Sequence, residues 1–361
     1  MSSFFLVATL LHLSDAILPY GHGFGVPPND FSSEEYSFIS TTFPIFTVEK
    51  RHAMAVYGDP SAPSTSPFHY NSIAASVGTA RRIKALNPSS RVLMYWNSAL
   101  HWNFYECESE VQPSWLLPAS HGLQVPSYNY SVAEFRAWWV GCAVGALRNS
   151  SGALDGLFVD AVPKLSWAGQ PADAFSLWGG MLDAVRAAIP SAFVIFNGDF
   201  NSGHGSVVAN ATGLIGHADA VYAESMAGID SEQAAADPNG TIAYLRFLAQ
   251  TSAAAAPHKL LFGHGLLDPS DAERSFTFGL ALFLLVTPDP AGGGFIANQG
   301  YEVDQGLLVP HPQYALQYGP PLGPFAVEGA VLTRTFANAT VVADLVARTA
   351  KITVGGGERG G

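Results

Sequence analysis

The chain has 361 residues, 48% of them hydrophobic and only 13% charged, enough for one large domain with a full core or a barrel with a small appendage. Its formal net charge is −12, from 17 basic and 29 acidic residues with no basic cluster. Nucleic acid and anionic membrane are therefore poor partners, since both need a Lys/Arg surface, and neutral substrates fit better.

The first sixteen residues, MSSFFLVATLLHLSDA, carry an apolar run too short to span a bilayer. They end in Ser14-Asp15-Ala16, small residues at the −3 and −1 positions of a signal-peptidase site, although no Lys or Arg precedes the run. Residues 1–16 are expected to be a signal peptide. Asn129, Asn149, Asn210, Asn239 and Asn338 each begin an N-x-[ST] sequon, in keeping with a secreted glycoprotein. Cys107 and Cys142 either form one disulfide or remain buried thiols; two cysteines make no framework.

From residue 17 to 325, apolar strand-like runs alternate with helical stretches. Strands are predicted at 17–24, 43–50, 91–97, 156–161, 192–198, 219–225, 258–265 and 294–298, most of them continuous apolar runs as in a parallel sheet covered on both faces. Ser32-x-x-Glu35, Ser131-x-x-Glu134 and Ser270-x-x-Glu273 match capping boxes at helix starts. After Ser131, Phe135, Trp138, Trp139 and Cys142 share one side at helical spacing and read as core. FGLALFLLV, after Ser270, reads as a buried stripe with no membrane span. Eight β/α units in about 300 residues give the count of a (β/α)8 TIM barrel. The rival, a doubly wound sheet, would carry a glycine fingerprint after its first strand, and GHGFGV has the wrong spacing. Residues 326–354 alternate with turn residues at Asn338 and Arg348-Thr349, predicting a short antiparallel β extension packed on the barrel. Residues 355–361, Gly-rich, are expected to be a disordered tail.

Chemistry in such a barrel sits at the C-terminal ends of the strands, while polar residues at the other end serve stability. Asp155 and Asp160 flank one strand about 17 Å apart at 3.3 Å per residue, so only Asp160 can reach the catalytic face. The same cut on every strand selects His22, Glu49, Asn97, Asp160, Asn197, Glu224, His264 and Asn298. Asp160 ends the fourth strand and Glu224 the sixth. Two carboxylates across a pocket are what glycoside hydrolysis needs, one ionised and one protonated. The apolar, aromatic VYA before Glu224 favours a neutral acid there, and Lys164 is a candidate to keep Asp160 charged. Asparagines and histidines suit sugar hydroxyls, and Trp96, Trp102, Tyr105 or Trp167 suit pyranose faces. His22, His264, Glu49 and Asp160 are the alternative metal set, but no H-x-H or H-E-x-x-H spacing supports it, so no metal or other cofactor is expected.

The colinear series FTVEK, RRIKALNPSSRVLMYWN, WLLPASHG, FRAWWV, DGLFVDAVPK, IFNG, YAES, YGPPLGP and LTRTF resembles glycoside-hydrolase-like family 15, placed near the α-galactosidase-type hydrolase barrels. The likeness spans roughly residues 19–353. It implies a TIM-barrel glycosidase with its nucleophile at the end of strand four and its acid/base at the end of strand six, here Asp160 and Glu224. The family's Glu-Lys pair falls on Glu49 and Lys50, its Tyr-Trp-Asn on Tyr95, Trp96 and Asn97, and its Asn-Gly on Asn197 and Gly198. Where the family usually carries an aromatic after the sixth-strand Glu, this chain has Ser225-Met226-Ala227, so substrate preference is not carried over. The expectation is a retaining glycosidase acting on an oligo- or polysaccharide, with carboxyl oxygens of Asp160 and Glu224 about 5–10 Å apart. An inactive carbohydrate-binding barrel would not require both acids. A polysaccharide lyase would need Arg or Lys at the strand ends to neutralise a substrate carboxylate, and they are scarce there.

Overall fold

The computed structural model of the chain describes residues 17–23, 31–49, 72–102, 105–118, 125–166, 168–198, 213–224, 235–254, 260–266, 268, 270–288, 293–298 and 308–355. The predicted signal peptide, residues 356–361 of the predicted tail, Lys50 and Trp167 lie outside them, while Gly355 donates its N–H to the Asn338 carbonyl at 2.7 Å.

Eight strands close into a parallel barrel. They are β1 (Leu18–Gly23), β2 (Ile45–Val48), β3 (Arg91–Asn97), β6 (Gly156–Asp160), β7 (Phe193–Asn197), β8 (Ala220–Ala223), β9 (Leu260–Leu266) and β10 (Gly294–Asn298). All eight fall on the predicted runs, and β10 returns to pair with β1 through Leu18 and Gly294. The two missing numbers, β4 (Leu116–Leu117) and β5 (Ser127–Tyr128), form a small hairpin inserted after β3. Described helices are α1 (Ser33–Thr42), α2 (Ser72–Leu86), α3 (Ala133–Asn149), α4 (Ala174–Ala188), α5 (Pro238–Ala254) and α6 (Ala272–Val286). The strands are apolar on both faces because one face fills the barrel and the other packs against helices.

Only one of the three predicted capping boxes forms. At α1, Glu35 N–H donates to Ser32 Oγ at 3.2 Å and Ser32 N–H to Glu35 at 2.6 Å. Ser131 instead donates to Asn129 Oδ1 at 2.6 Å, and Ser270 to Asp268 Oδ1 at 2.6 Å. An acceptor two residues upstream captures each serine in a local turn before the helix can use it. Asp271 takes over as the cap of α6, accepting from Arg274 N–H. On α3, Phe135 and Trp139 are buried as expected, and Cys142 is joined to Cys107, settling the pairing as a disulfide with Cα atoms 6.2 Å apart.

The C-terminal strands β11 (Ala326–Glu328), β12 (Val331–Thr335), β13 (Ala339–Asp344) and β14 (Thr349–Val354) make an antiparallel meander. It packs on α6, which therefore lies between this sheet and the barrel. That explains FGLALFLLV: a helix covered on all sides is apolar on all sides. Buried Arg334 locks the join. Its guanidinium donates to the carbonyls of Leu284, Leu285 and Thr287 at 2.8, 3.0 and 2.6 Å, and through Nε to Gly323 at 3.0 Å. A cation is well placed at a helix C-terminus, where orphan carbonyls converge. Burial still pulls its pKa down to about 10. Among the described residues no helix is long and apolar enough to cross a membrane.

Candidate active site

The barrel ladder fixes which side chains meet. Asn97 is in register with Asp160, and Tyr95 with Phe158. Asn197 is in register with Tyr222, two residues before Glu224. Side chains two apart share a face, so Tyr95, Asn97, Phe158, Asp160, Asn197, Tyr222 and Glu224 turn to the inside together. The ring contacts agree: His22, Phe158 and Tyr222 pack edge to face or tilted, with centroids 4.5 to 5.9 Å apart.

Asp160 and Glu224 are half-buried at the upper rim. One amide joins them. Asn197 Nδ2 donates to Asp160 Oδ1 at 3.0 Å and to Glu224 Oε2 at 2.5 Å. Those two oxygens are thus no more than about 5.5 Å apart, since both lie on a single nitrogen. The other oxygen of Asp160, Oδ2, accepts from the Tyr95 hydroxyl at 2.5 Å. Asn97 Nδ2 donates to the same hydroxyl at 2.8 Å, while its Oδ1 accepts from Ala99 and Leu100 N–H at 2.9 and 2.7 Å. Burial pushes the Tyr95 phenol well above its usual range, and Asp160 and Glu49 push it further, so it stays a donor.

The backbone after Asp160 is shaped as tightly as its side chain. Ala161 adopts φ +68°, and Ser98 donates to the Asp160 carbonyl from Oγ at 2.6 Å and from N–H at 3.1 Å. A left-handed alanine costs about 1–2 kcal/mol, which the surrounding contacts must hold in place. Such strain beside a rim carboxylate is common where a side chain has to be aimed.

Beneath the rim, His22 Nε2 lies 3.3 Å from Glu49 Oε1, both buried. Tyr20 Oη sits 3.2 Å from His22 Nδ1 and 2.7 Å from Thr47 Oγ1. Residues expected to touch substrate thus divide. Asn197 stands between the acids. Tyr95 and Asn97 are buried, Tyr95 bonded to Asp160 and Asn97 to the Tyr95 hydroxyl. His22 and Glu49 form a buried pair beneath the rim. Trp96 faces the other way: it is 1% exposed and packs on Tyr105 and on Trp139 of α3, with centroids 4.1 and 6.0 Å away. One residue of strand separates the two faces, so Trp96 is core between barrel and helix. Tyr105 is also no sugar platform. Its buried hydroxyl accepts from Asn97 N–H at 2.9 Å and donates to the Tyr95 carbonyl at 3.2 Å. Trp102 is half-buried against Ala99, Leu100 and Ala161 at the rim. The β9 and β10 backbones carry His264 and Asn298, opposite Ile296 and Leu266; their side chains lie outside the described part.

Sequence reasoning missed one cluster. Glu108, fully buried in the insertion after β3, accepts from Tyr128 Oη at 2.6 Å and Tyr105 N–H at 2.9 Å and lies 3.3 Å from His101 Nδ1. Its acid is in a short 3₁₀ turn, not at a strand end, so the strand-end rule could not select it. The disulfide ties this insertion to α3 and so fixes Tyr105 under β3.

Comparisons with known proteins come to the same barrel. An α-amylase from H. orenii superposes with a TM-score of 0.57 at 10% identity, covering 92% of this chain and 90% of that one. An Anoxybacillus α-amylase gives 0.53 at 10%, covering 91% and 86%. The α-galactosidase from Thermus thermophilus gives 0.52 at 12%, covering 92% and 67%. At such identities these likenesses are of fold alone. No curated protein matches the chain in sequence. Residues 84–340 match the family described as Hypothetical glycosyl hydrolase family 15, and that stretch holds Asp160, Asn197 and Glu224 together with most of the barrel. The chain belongs to that family.

Proposed function

We propose that this protein is a retaining glycosidase acting on an oligo- or polysaccharide, with Asp160 as nucleophile and Glu224 as general acid/base. The observation that carries the reading is the single Asn197 amide on both carboxylates. It holds one oxygen of each acid within about 5.5 Å of the other, which supports the short-separation, double-displacement arrangement over the about 6.5–9.5 Å that an interposed water needs. In the first step Asp160 attacks the anomeric carbon while Glu224 gives its proton to the departing glycosidic oxygen. In the second, Glu224 takes a proton from water, whose oxygen attacks the same carbon, and the bond to Asp160 breaks with its electron pair returning to the carboxylate.

The test is a glycan-library hydrolysis screen with Asp160→Asn as control, followed by NMR of the first-formed product. Hydrolysis with retained anomeric configuration, lost in the variant, supports the reading. Inverted product, or equal activity in the variant, overturns it.

The reading also places the protein in an oxidising, secretory setting. What supports this is the Cys107–Cys142 disulfide together with sequons at Asn149, Asn239 and Asn338, all exposed. Sequencing of protein from its source cells should find a mature start near Ile17 and sugar at one or more sequons; an intact Met1 or Ser2 would refute it.

A further inference from the structure

Tyr95 does more than fill space under the rim. Its hydroxyl donates to Asp160 Oδ2 at 2.5 Å, and such a bond is strongest when the carboxylate is ionised. The phenol cannot turn away easily, because Asn97 donates to it and is itself fixed by two backbone N–H groups. The ring is stacked on Phe158, with centroids 6.2 Å apart. Asn197 then meets the remaining oxygen, Oδ1, on the side shared with Glu224.

The charges around Asp160 make this contact matter. Glu224 enters from β8 through the Asn197 amide, and Glu49 acts on the Tyr95 phenol from β2, with His22 beside it. Tyr105 reaches the same phenol from the insertion, and Lys164 follows in the turn after β6. Each neighbouring carboxylate opposes ionisation of Asp160, whereas a donor that bonds the charged form more strongly than the neutral one favours it.

We propose that Tyr95, locked by Asn97, is the positioning residue that keeps Asp160 ionised and turns Oδ1, not Oδ2, toward Glu224. Building on the glycosidase reading, this assigns attack to Oδ1. Oδ2 keeps the phenol's hydrogen bond throughout, so the phenol also steadies the carboxylate when it departs in the second step.

The test is a ¹³C titration of side-chain carboxyls in the wild type and Tyr95→Phe, with Asp160→Asn to assign the signal. Loss of the phenol is expected to raise the Asp160 midpoint by roughly one pH unit. Once a substrate is in hand, the acid limb of kcat/KM should move by the same amount. An unmoved or lowered midpoint overturns the proposal. If Tyr95→Phe does not fold, the Tyr95 ¹³Cζ signal in the wild type serves instead. It should shift with the Asp160 titration and lose that inflection in Asp160→Asn, and a flat signal refutes the coupling. These readouts need no turnover, so a failed hydrolysis screen would remove the enzyme reading and leave the Tyr95 result standing.

Discussion

The two ends of the barrel use the same residue types to opposite effect. At the lower end, Asp155 precedes β6 and Asp219 precedes β8, and each completes the ladder in the same way. Asp155 accepts from Val92 N–H at 2.7 Å and donates its own N–H to the Val92 carbonyl at 2.8 Å; Asp219 repeats both contacts with Val194, at 2.8 Å each. Each also meets a helix cation, Lys84 at 2.8 Å and Arg186 at 3.1 Å. At the upper end, Asp160 and Glu224 receive a phenol and a shared amide. Acids met by a cation and the strand backbone complete the ladder, whereas the two at the rim, linked by a shared amide, are the ones the proposed mechanism uses.

The sharpest way to break that contrast is to remove the upper acids. Asp160→Asn and Glu224→Gln should each cut turnover by at least ~100-fold while leaving the thermal midpoint almost unchanged. A large stability loss with preserved rate would put them in the lower class. Arg334→Ala should come next, at about 3 kcal/mol in a denaturant titration, because three charge-assisted bonds at the end of α6 vanish from a buried site. Asp155→Ala and Asp219→Ala should each cost about 1–2 kcal/mol, mostly from the orphaned strand N–H, since the ion pairs are partly exposed. Their effect on rate should be modest, and finding Asp155 essential for turnover would invert the assignment of ends.

Acid sharpens the comparison once one confounder is removed. Burial holds the His311 imidazole down at about 4, against an ordinary 6.5. Between those values the unfolded chain binds more protons, so this group's stabilising share is full above about pH 6.5 and is lost as pH falls through 4. His311→Phe, which keeps the ring stacked on Phe276, should flatten stability over that window. Smallest of all is the expected effect of a chelator: none on activity. Loss with recovery on adding Ca²⁺ or Zn²⁺ would mean that the upper acids, like the lower, are matched to a cation.

Most of this frame was legible in the residues. All eight strands announced themselves as apolar runs, and the strand-end rule separated Asp155 from Asp160 correctly. The same alternation would have split Tyr95 and Asn97 from Trp96 had it been applied within the Tyr-Trp-Asn triplet. Chemistry was instead assigned to the whole triplet, and only the neighbours Trp139 and Tyr105 show that its middle member is core. The Asn197 bridge was beyond reach, because it depends on side-chain separation across two strands. So were the misplaced caps, where Asn129 and Asp268 compete for the same serines.

The bridge also bears on how the protein ages. Asn197 is followed by Gly198, the pairing in which an asparagine side chain is least shielded from attack by the next backbone nitrogen. In the fold that nitrogen is held by the Tyr222 carbonyl at 3.1 Å, and the asparagine is buried. Deamidation is therefore suppressed while the barrel stays closed and becomes open to the chain when it unfolds. A single conversion to aspartate would place a third negative charge between Asp160 and Glu224, where the donor used to be. Each excursion to the unfolded state thus risks permanent loss of the site, making its chemical lifetime a function of conformational stability.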